Sequence, residues 1–420
     1  MAIPGLMAVL DALPEARLVG GVVRDAMAGR PPTDVDLTTP QPPDAVMRTL
    51  QRAGIRAVPT GIDHGTVTAV VEGRGFEVTT LRRDVETDGR HALVAFTDDW
   101  RADAARRDFT INAMSATRDG AVFDYFGGVA DLRAGIVRFV GHPAARVAED
   151  YLRILRFFRF FARYGVAPPD AAALAAIRAG LPGLAQLSAE RVWHELTSIL
   201  AAPNPRGAVR LMAELGVLAA AIPEGVAPDR LDRLVAAGAP ADPVLRMAAL
   251  LAGDPAAFGE RLRLSTADQD RLVALRAAPL ARPEMDDAAL RRMLADTEPA
   301  ILVDRTWLAD GPDGRLKGGL LQEPLQGEAR RGSTAPGLTF AGQRDGEPAP
   351  DWAALRARFA ALPRPVFPLE GRDVLALGVA PGPHVGALLR AVRAWWMAGG
   401  CVADAEACRA ELARLARPPA

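Results

Sequence analysis

Near residue 140 the hydrophobic period of this chain changes, and that change limits the fold more than any other feature. Upstream, Thr66 to Val71 and Phe76 to Leu81 are β-rich runs joined by the turn-like Glu72-Gly73-Arg74-Gly75, which reads as a hairpin. Arg17-Leu18-Val19 leads into Gly20-Gly21 and a short helix-like piece, Val22 to Ala28. Downstream, Val147 to Arg163 carries apolar residues at 152, 155, 158 and 161–162, the spacing of one helix face. Ser188-Ala189-Glu190-Arg191 opens another helix with Ser188 as its N-cap. Helical patterns and Gly/Pro breaks alternate to about residue 300. Between 311 and 350, nine Gly and five Pro fill 14 of 40 positions, a composition that packs poorly, so the segment reads as an exposed insertion or linker. Order returns at Asp351, and Asp373 to Met397 reads as helical. The expected class is α+β: a mixed sheet with helices first, an all-helical remainder after it.

Composition removes several chemistries. Lys317 is the only lysine among 50 basic residues, the rest being arginine. A P-loop needs its Lys on the β/γ-phosphates and Schiff-base enzymes need a reactive amine. The turn-like Arg315-Leu316-Lys317-Gly318-Gly319 fits neither. A net charge of −1 argues against a basic coat for polyanions, though not against a local basic groove. Cys401 and Cys408 stand without a Cys or His cluster, which disfavours a disulfide scaffold or zinc site and suits a reducing cytoplasm. We find no leader-like N-terminus and no long uncharged apolar run, so no membrane partner is expected.

The residues that carry chemistry begin with Asp34-Val35-Asp36. On an extended strand, residues two apart face the same way, and two carboxylates on one face repel unless a cation lies between them. Such oxygen ligands suit Mg²⁺ held together with substrate phosphates. An isolated Asp-x-Asp is more often a solvated turn, but this one follows Gly20-Gly21-Val22-Val23-Arg24-Asp25. Glycines before a helix start let backbone N–H groups approach phosphate, which implicates Gly21, and Arg24 is suited to a bidentate phosphate contact. Glu77 alternates with the core-facing Phe76 and Val78. It is either an exposed strand residue or a third carboxylate that activates an attacking hydroxyl. In Arg106-Arg107-Asp108-Phe109-Thr110-Ile111-Asn112-Ala113-Met114, Arg107 is placed for the triphosphate, with Asp108 and Asn112 fixing the loop.

Taken in order, these motifs and Glu149-Asp150-Tyr151-Leu152-Arg153 resemble the class II tRNA nucleotidyltransferases, the bacterial CCA-adding enzymes related to bacterial poly(A) polymerases. The resemblance runs over residues 15–200 and returns weakly from Gly371 to Gly378 and at Trp395-Trp396. It implies a catalytic nucleotidyltransferase head (1–140), a helical neck with a nucleotide-templating helix (141–200), an RNA-binding helical body (201–310), the linker (311–350) and a tRNA-binding helical tail (351–420).

The resemblance also implies roles. Asp34 and Asp36 would hold Mg²⁺, with Glu77 beside them, while Gly21, Arg24 and Arg107 would hold the triphosphate. Asp150 and Arg153, read as i, i+3 neighbours on one helix face, would choose the base. A carboxylate accepts from the exocyclic amine of cytosine or adenine and a guanidinium donates to the adjacent ring nitrogen. Uracil and guanine would leave buried groups unpaired, which discriminates strongly. Without its surroundings this pair would be a surface ion pair worth under ~1 kcal/mol. Arg156 and Arg159 are nucleotide-binding by resemblance, although helical geometry turns Arg159 about opposite Asp150. Glu190, Arg191 and Glu195 read as bridges between helices.

The substrates implied are CTP, ATP and the 3′ end and acceptor arm of tRNA, with no protein partner evident. A poly(A) polymerase, an enzyme adding only CC or only A, and a non-catalytic RNA-binding relative are the alternatives. Gly61 to Thr68 looks more like the CCA type, the stretch from Arg82 to Ala105 with Asp88-Gly89-Arg90 resembles the flexible loop of complete CCA enzymes, and the intact Asp34 and Asp36 disfavour a non-catalytic relative. Tyr125 replaces the proline expected after Asp124.

Overall fold

The structure, a computed structural model, describes residues 3–32, 34–87, 92–310 and 350–417. The chain divides into two compact units, Met1–Pro228 with Arg261–Arg263, and Asp229–Glu260 with Leu264–Ala420. Asp88-Gly89-Arg90 and residues 311–349 lie outside the described residues.

The first unit opens with α1 (Leu6–Ala12), β1 (Arg17–Val19), α2 (Gly21–Met27), β2 (Asp36–Thr39) and α3 (Pro43–Arg52). The strands β3 (Arg56–Gly61), β4 (Thr66–Val71) and β5 (Arg74–Thr80) follow, so the expected hairpin forms with its turn at Glu72-Gly73. These join β8 (Ser115–Ala116) and β9 (Val122–Phe123) in a seven-stranded mixed sheet of order β3-β4-β5-β2-β1-β8-β9. Only the β2–β5 pair in this sheet is parallel, and its register sets Asp36 opposite Glu77. Strand alternation does the rest. Leu37, Val67, Phe76 and Val78 enter a core with Leu6, Val9, Leu10 and Leu13 of α1 and Val46 and Leu50 of α3. Asp36 and Glu77 stay exposed on the other face. A separate hairpin, β6 (Arg82–Thr87) and β7 (Ala92–Phe96), precedes α4 (Trp100–Ala105). The stretch likened to a flexible loop is thus largely strand and helix where it is described.

After α5 (Gly128–Ala134) the unit is helical, with α6 (Pro143–Glu149), α7 (Leu152–Tyr164), α8 (Ala171–Gly180) and α9 (Ala189–Leu200). The single helix expected from Val147 to Arg163 is two, broken at Asp150, whose backbone is extended (φ −154°, ψ 108°). The physical reason is local. The Asp150 carboxylate accepts from Leu152 N at 3.0 Å, and aspartate competes with helical hydrogen bonding in this way. The Tyr151 ring also lies against Gly183, where a Cβ would fall 2.2 Å from a ring carbon. Ser188 does stand at the N-cap of α9, but its hydroxyl makes no capping bond.

Aromatic packing fastens α7 to the loop before it. Phe109, Phe139 and Phe157 are fully buried, with ring centroids 4.8 Å apart for Phe109 and Phe139 and 6.0 Å for Phe139 and Phe157.

Among its described residues the second unit has helices joined by loops and no strand. Trp352, Leu355 and Phe359 pack with Leu290, Leu294 and Leu302. Val392, Trp396, Cys401, Cys408 and Leu412 form a further core, in which both thiols are buried and unpaired with each other. The helix expected from Asp373 to Met397 is two pieces, Gly371–Leu375 and Pro383–Ala398. Gly378 (φ +80°) and Gly382 (φ +156°) take backbone conformations that other residues resist, and Pro381 and Pro383 end any continuous ladder.

We expect Phe157→Ala to destabilise the chain by about 3–5 kcal/mol through the cavity it leaves. Thermal unfolding followed by circular dichroism measures this, and an unchanged midpoint would contradict the packing described.

Candidate nucleotide-binding site

Gly20 ends β1 with φ +68° and ψ −120°, a combination that a side chain would strain. The turn is also tight, because a Cβ at Gly20 would sit 3.0 Å from Arg107 Nη1. Past this turn α2 begins, and Arg24 lies on its first two turns, almost buried. Its guanidinium donates to Asp25 at 3.1 and 3.2 Å and to Asn112 Oδ1 at 2.5 Å, and it lies 4.7 Å from the Tyr164 ring centre.

Asp108 is the inner post of the site. Its carboxylate accepts from Phe109 N and Asn112 Nδ2, each at 2.9 Å, and from Arg156 Nε at 2.8 Å, with Arg156 Nη2 also bonded to it. Burial alone would push this carboxyl up, but the Arg156 charge and the hydrogen bonds hold it below the usual carboxylate range. Arg146 fastens the same loop from α6, donating to Arg107 O at 2.7 Å and to Arg106 O.

A cavity of about 390 Å³ opens among these groups, lined by Gly20, Gly21, Arg24, Asp36, Arg107, Asp108, Asn112, Asp150, Leu152, Arg153, Arg156, Phe160 and Arg191. Five arginines face three aspartates there, so the space favours an anion. Gly21, Arg24, Asp36, Arg107, Asp150, Arg153 and Arg156 were all expected from the sequence, and one cavity gathers them. Asp34, Glu77 and Arg159 do not line it. Arg159 turns instead to the buried Glu195, 3.3 Å away, and lies 4.8 Å from the Phe160 ring centre. Burial raises the Glu195 carboxyl despite Arg159 and Arg156.

Asp150 and Arg153 share the cavity without the common helix face expected for them. Asp150 precedes α7 and accepts from Arg191 Nη2 at 2.6 Å. Arg153 donates to Arg146 O at 2.7 Å and pairs with Glu149. The helix break turns Asp150 toward α9, so its charge partner is Arg191 and not Arg153. Arg191, Phe160 and Leu152 are the lining residues that sequence reasoning missed. Arg191 carried a signal only as a helix bridge, Leu152 was counted on the apolar helix face, and Phe160 carried no signal.

Among the described residues no group of three or more His, Cys, Asp and Glu side chains is gathered to hold a metal ion. Asp36 nonetheless shows the strain a cation would relieve. Burial and then the neighbouring Glu77 charge raise its carboxyl, Asp34 adds to this, and Arg107 offsets only part. Two such carboxylates with substrate phosphates complete the usual coordination of a small hard cation, so the residues present fit one.

The Asp108 geometry carries a pH dependence. A carboxyl whose folded pKa is depressed contributes stability above its unfolded value and loses it as the pH falls through the folded one. We expect stability to decline below about pH 4, and Asp108→Asn to be less stable at pH 7 with a flatter decline. Urea unfolding at a series of pH values reads both; parallel profiles for the two proteins would contradict the depressed carboxyl.

Comparison with known proteins identifies relatives of the chain. Residues 16–138 match the family model described as the poly A polymerase head domain, and residues 169–227 match the probable RNA and SrmB-binding site of polymerase A. The chain is 34% identical over 392 residues to human CCA tRNA nucleotidyltransferase 1, mitochondrial, covering 92% of this chain and 83% of the human one. It is 50% identical over 206 residues to the mouse protein of that name, a stretch that spans 48% of each. It thus spans about half the length of the mouse relative. Among solved structures, the Bacillus stearothermophilus CCA-adding enzyme in complex with CTP superposes with a TM-score of 0.72 at 26% identity, covering 99% of this chain and 98% of the other.

Proposed function

Because the chain belongs to the family of CCA-adding tRNA nucleotidyltransferases and poly(A) polymerases, we propose that it adds C, C and A to the 3′ end of tRNA. CTP and ATP are the donors and pyrophosphate is released. One observation supports this above the others: a single cavity holds both the Gly20-Gly21 turn with Arg24, Asp36 and Arg107, and the Asp150, Arg153 and Arg156 group. A nucleoside triphosphate has a phosphate end and a base end, and the cavity offers matching chemistry to each. The human relative and the Bacillus stearothermophilus enzyme carry CCA addition in their names, and the latter was solved with CTP.

In this reading Gly21 offers its backbone N–H, and Arg24 and Arg107 offer guanidinium N–H groups, to the triphosphate. Asp150 accepts from the exocyclic amine of the base and Arg153 donates to its ring nitrogen. Arg191 holds Asp150 in place and Glu149 holds Arg153, so the reading groups need little reorganisation when the nucleotide arrives. Arg156 backs them from Asp108, and Arg159 lends positive charge from behind. The family depends on a divalent cation. We take it to be Mg²⁺, held by Asp34 and Asp36 and flanked by Glu77, where it would neutralise the triphosphate and lower the pKa of the attacking hydroxyl. The 3′ oxygen of the tRNA attacks the α-phosphorus in line and the bond to pyrophosphate breaks, with positioning and charge supplying most of the acceleration.

We assign residues 1–140 to the catalytic head, 141–200 to the neck that reads the base, and 201–310 and 351–420 to the body and tail that grip the acceptor arm through phosphates, with 311–350 as linker. Affinity for tRNA then falls as salt rises. No helix among the described residues is long and apolar enough to cross a membrane, and the unpaired thiols suit a cytoplasmic setting.

Incubation with tRNA lacking its 3′ CCA, Mg²⁺ and CTP, ATP, both or neither tests the proposal. A ladder that stops at three nucleotides supports it, long A tails indicate poly(A) synthesis, and no incorporation leaves an RNA-binding protein. Asp34→Asn is expected to lower the rate at least ~100-fold with tRNA binding retained. Asp150→Ala is expected to admit UTP and GTP, and undiminished selectivity in that variant would refute the base-reading role.

A further inference from the structure

We propose that Asp103 is a positioning residue that aims Arg107 at the triphosphate, an inference that rests on the nucleotide-binding reading above. Asp103 lies in the first turn of α4, whose N-cap Asp99 accepts from Arg101 N at 2.8 Å. It is a buried acid, only 2% exposed, and its two oxygens do different things. Oδ2 accepts from Arg107 Nη2 at 3.2 Å. Oδ1 accepts from Arg106 Nε at 2.9 Å and from the backbone N–H of Arg82 at 3.3 Å.

Burial alone would raise the Asp103 carboxyl, but Arg106 and Arg107 hold it below the usual range, so it is ionised at neutral pH. One carboxylate between two guanidinium groups leaves a net positive charge, so Arg107 is oriented without losing its pull on an anion. On its other side Arg107 meets the backbone of Gly20, since a Cβ there would approach Nη1 to 3.0 Å. A guanidinium bonded along one edge and packed close to Gly20 can present its remaining N–H groups to the cavity that it lines. An untethered arginine would have to surrender rotamer freedom when the nucleotide binds, and the tether removes that cost beforehand. Because Arg82 begins β6, the same carboxylate also ties the root of the β6–β7 hairpin to the arginine.

If Asp103 only fastened α4 to the hairpin, its loss would lower stability, and any change in nucleotide affinity would be the same with or without Arg107. Calorimetric titration of CTP into the full-length wild type, D103N, R107A and the double variant separates the two roles. We expect D103N to weaken CTP binding about tenfold, D103E to recover most of it, and D103N to add less than twofold in the R107A background. Affinity for tRNA lacking CCA should stay within twofold throughout. Unchanged CTP affinity in D103N, or an equal loss in both backgrounds, would overturn the proposal. Wild type that binds no CTP would overturn the nucleotide-binding reading as well, which keeps the two failures distinct. Should D103N not fold, NMR of the wild type decides: restricted rotation of the Arg107 guanidinium before CTP is added supports the tether, and free rotation refutes it.

Discussion

Asp108 joins three segments that reach the cavity from different parts of the chain. It accepts from Arg156 on α7 and from Asn112 in its own loop, and Asn112 in turn accepts from Arg24 on α2. A buried carboxylate is costly unless every lone pair is used, and here Phe109 N takes another. The network therefore holds only when sheet, loop and helix are all in place. Losing any member leaves a buried charge without its partner, so phosphate-end and base-end groups are held to one another by electrostatic necessity. The packed rings of Phe109, Phe139 and Phe157 begin at the residue next to Asp108, and burial of this kind strengthens each hydrogen bond that is satisfied.

The near-zero net charge of the chain conceals how unevenly charge is placed. Of the cavity arginines, Arg24, Arg107, Arg153, Arg156 and Arg191 are each engaged by an acidic or amide oxygen from within the fold. A planar guanidinium can bond such a partner along one edge and still present another edge to a ligand, which an ammonium does less well. The almost complete use of arginine over lysine suits a site built this way.

Much of this was legible in the sequence, and the reasons are specific. The β4–β5 hairpin announced itself through alternation and a glycine turn, and the exposed placing of Glu77 followed from its neighbours Phe76 and Val78. The Gly-Gly turn, Asp36 and Arg107 were readable because their chemistry needs particular residue types at close spacing, whereas the 150–156 cluster was marked by resemblance to a family and not by its spacing. The break before α7 was not legible, because the apolar period continues across Asp150 and the interruption comes from the bond of the Asp150 carboxylate to Leu152 N and from Tyr151 packing on a distant glycine. The turn of Arg159 to Glu195, the pairing of Asp150 with Arg191 and the burial of Asp103 are tertiary facts. Each depends on which helix lies beside which, and no local pattern encodes that.

The parallel pairing of β2 with β5, which sets Asp36 beside Glu77, has a consequence for how the protein comes into being. The two acids belong to strands separated by α3 and two further strands, and pairings of this kind form late because a long loop must close first. Asp34 and Asp36 are neighbours in the chain whatever the sheet does, but Glu77 joins them only when β5 pairs with β2. A slip of one residue in that register would drive Glu77 into the core and expose Val78, which the surrounding apolar packing forbids. The third carboxylate of this face therefore depends on a register that the core enforces.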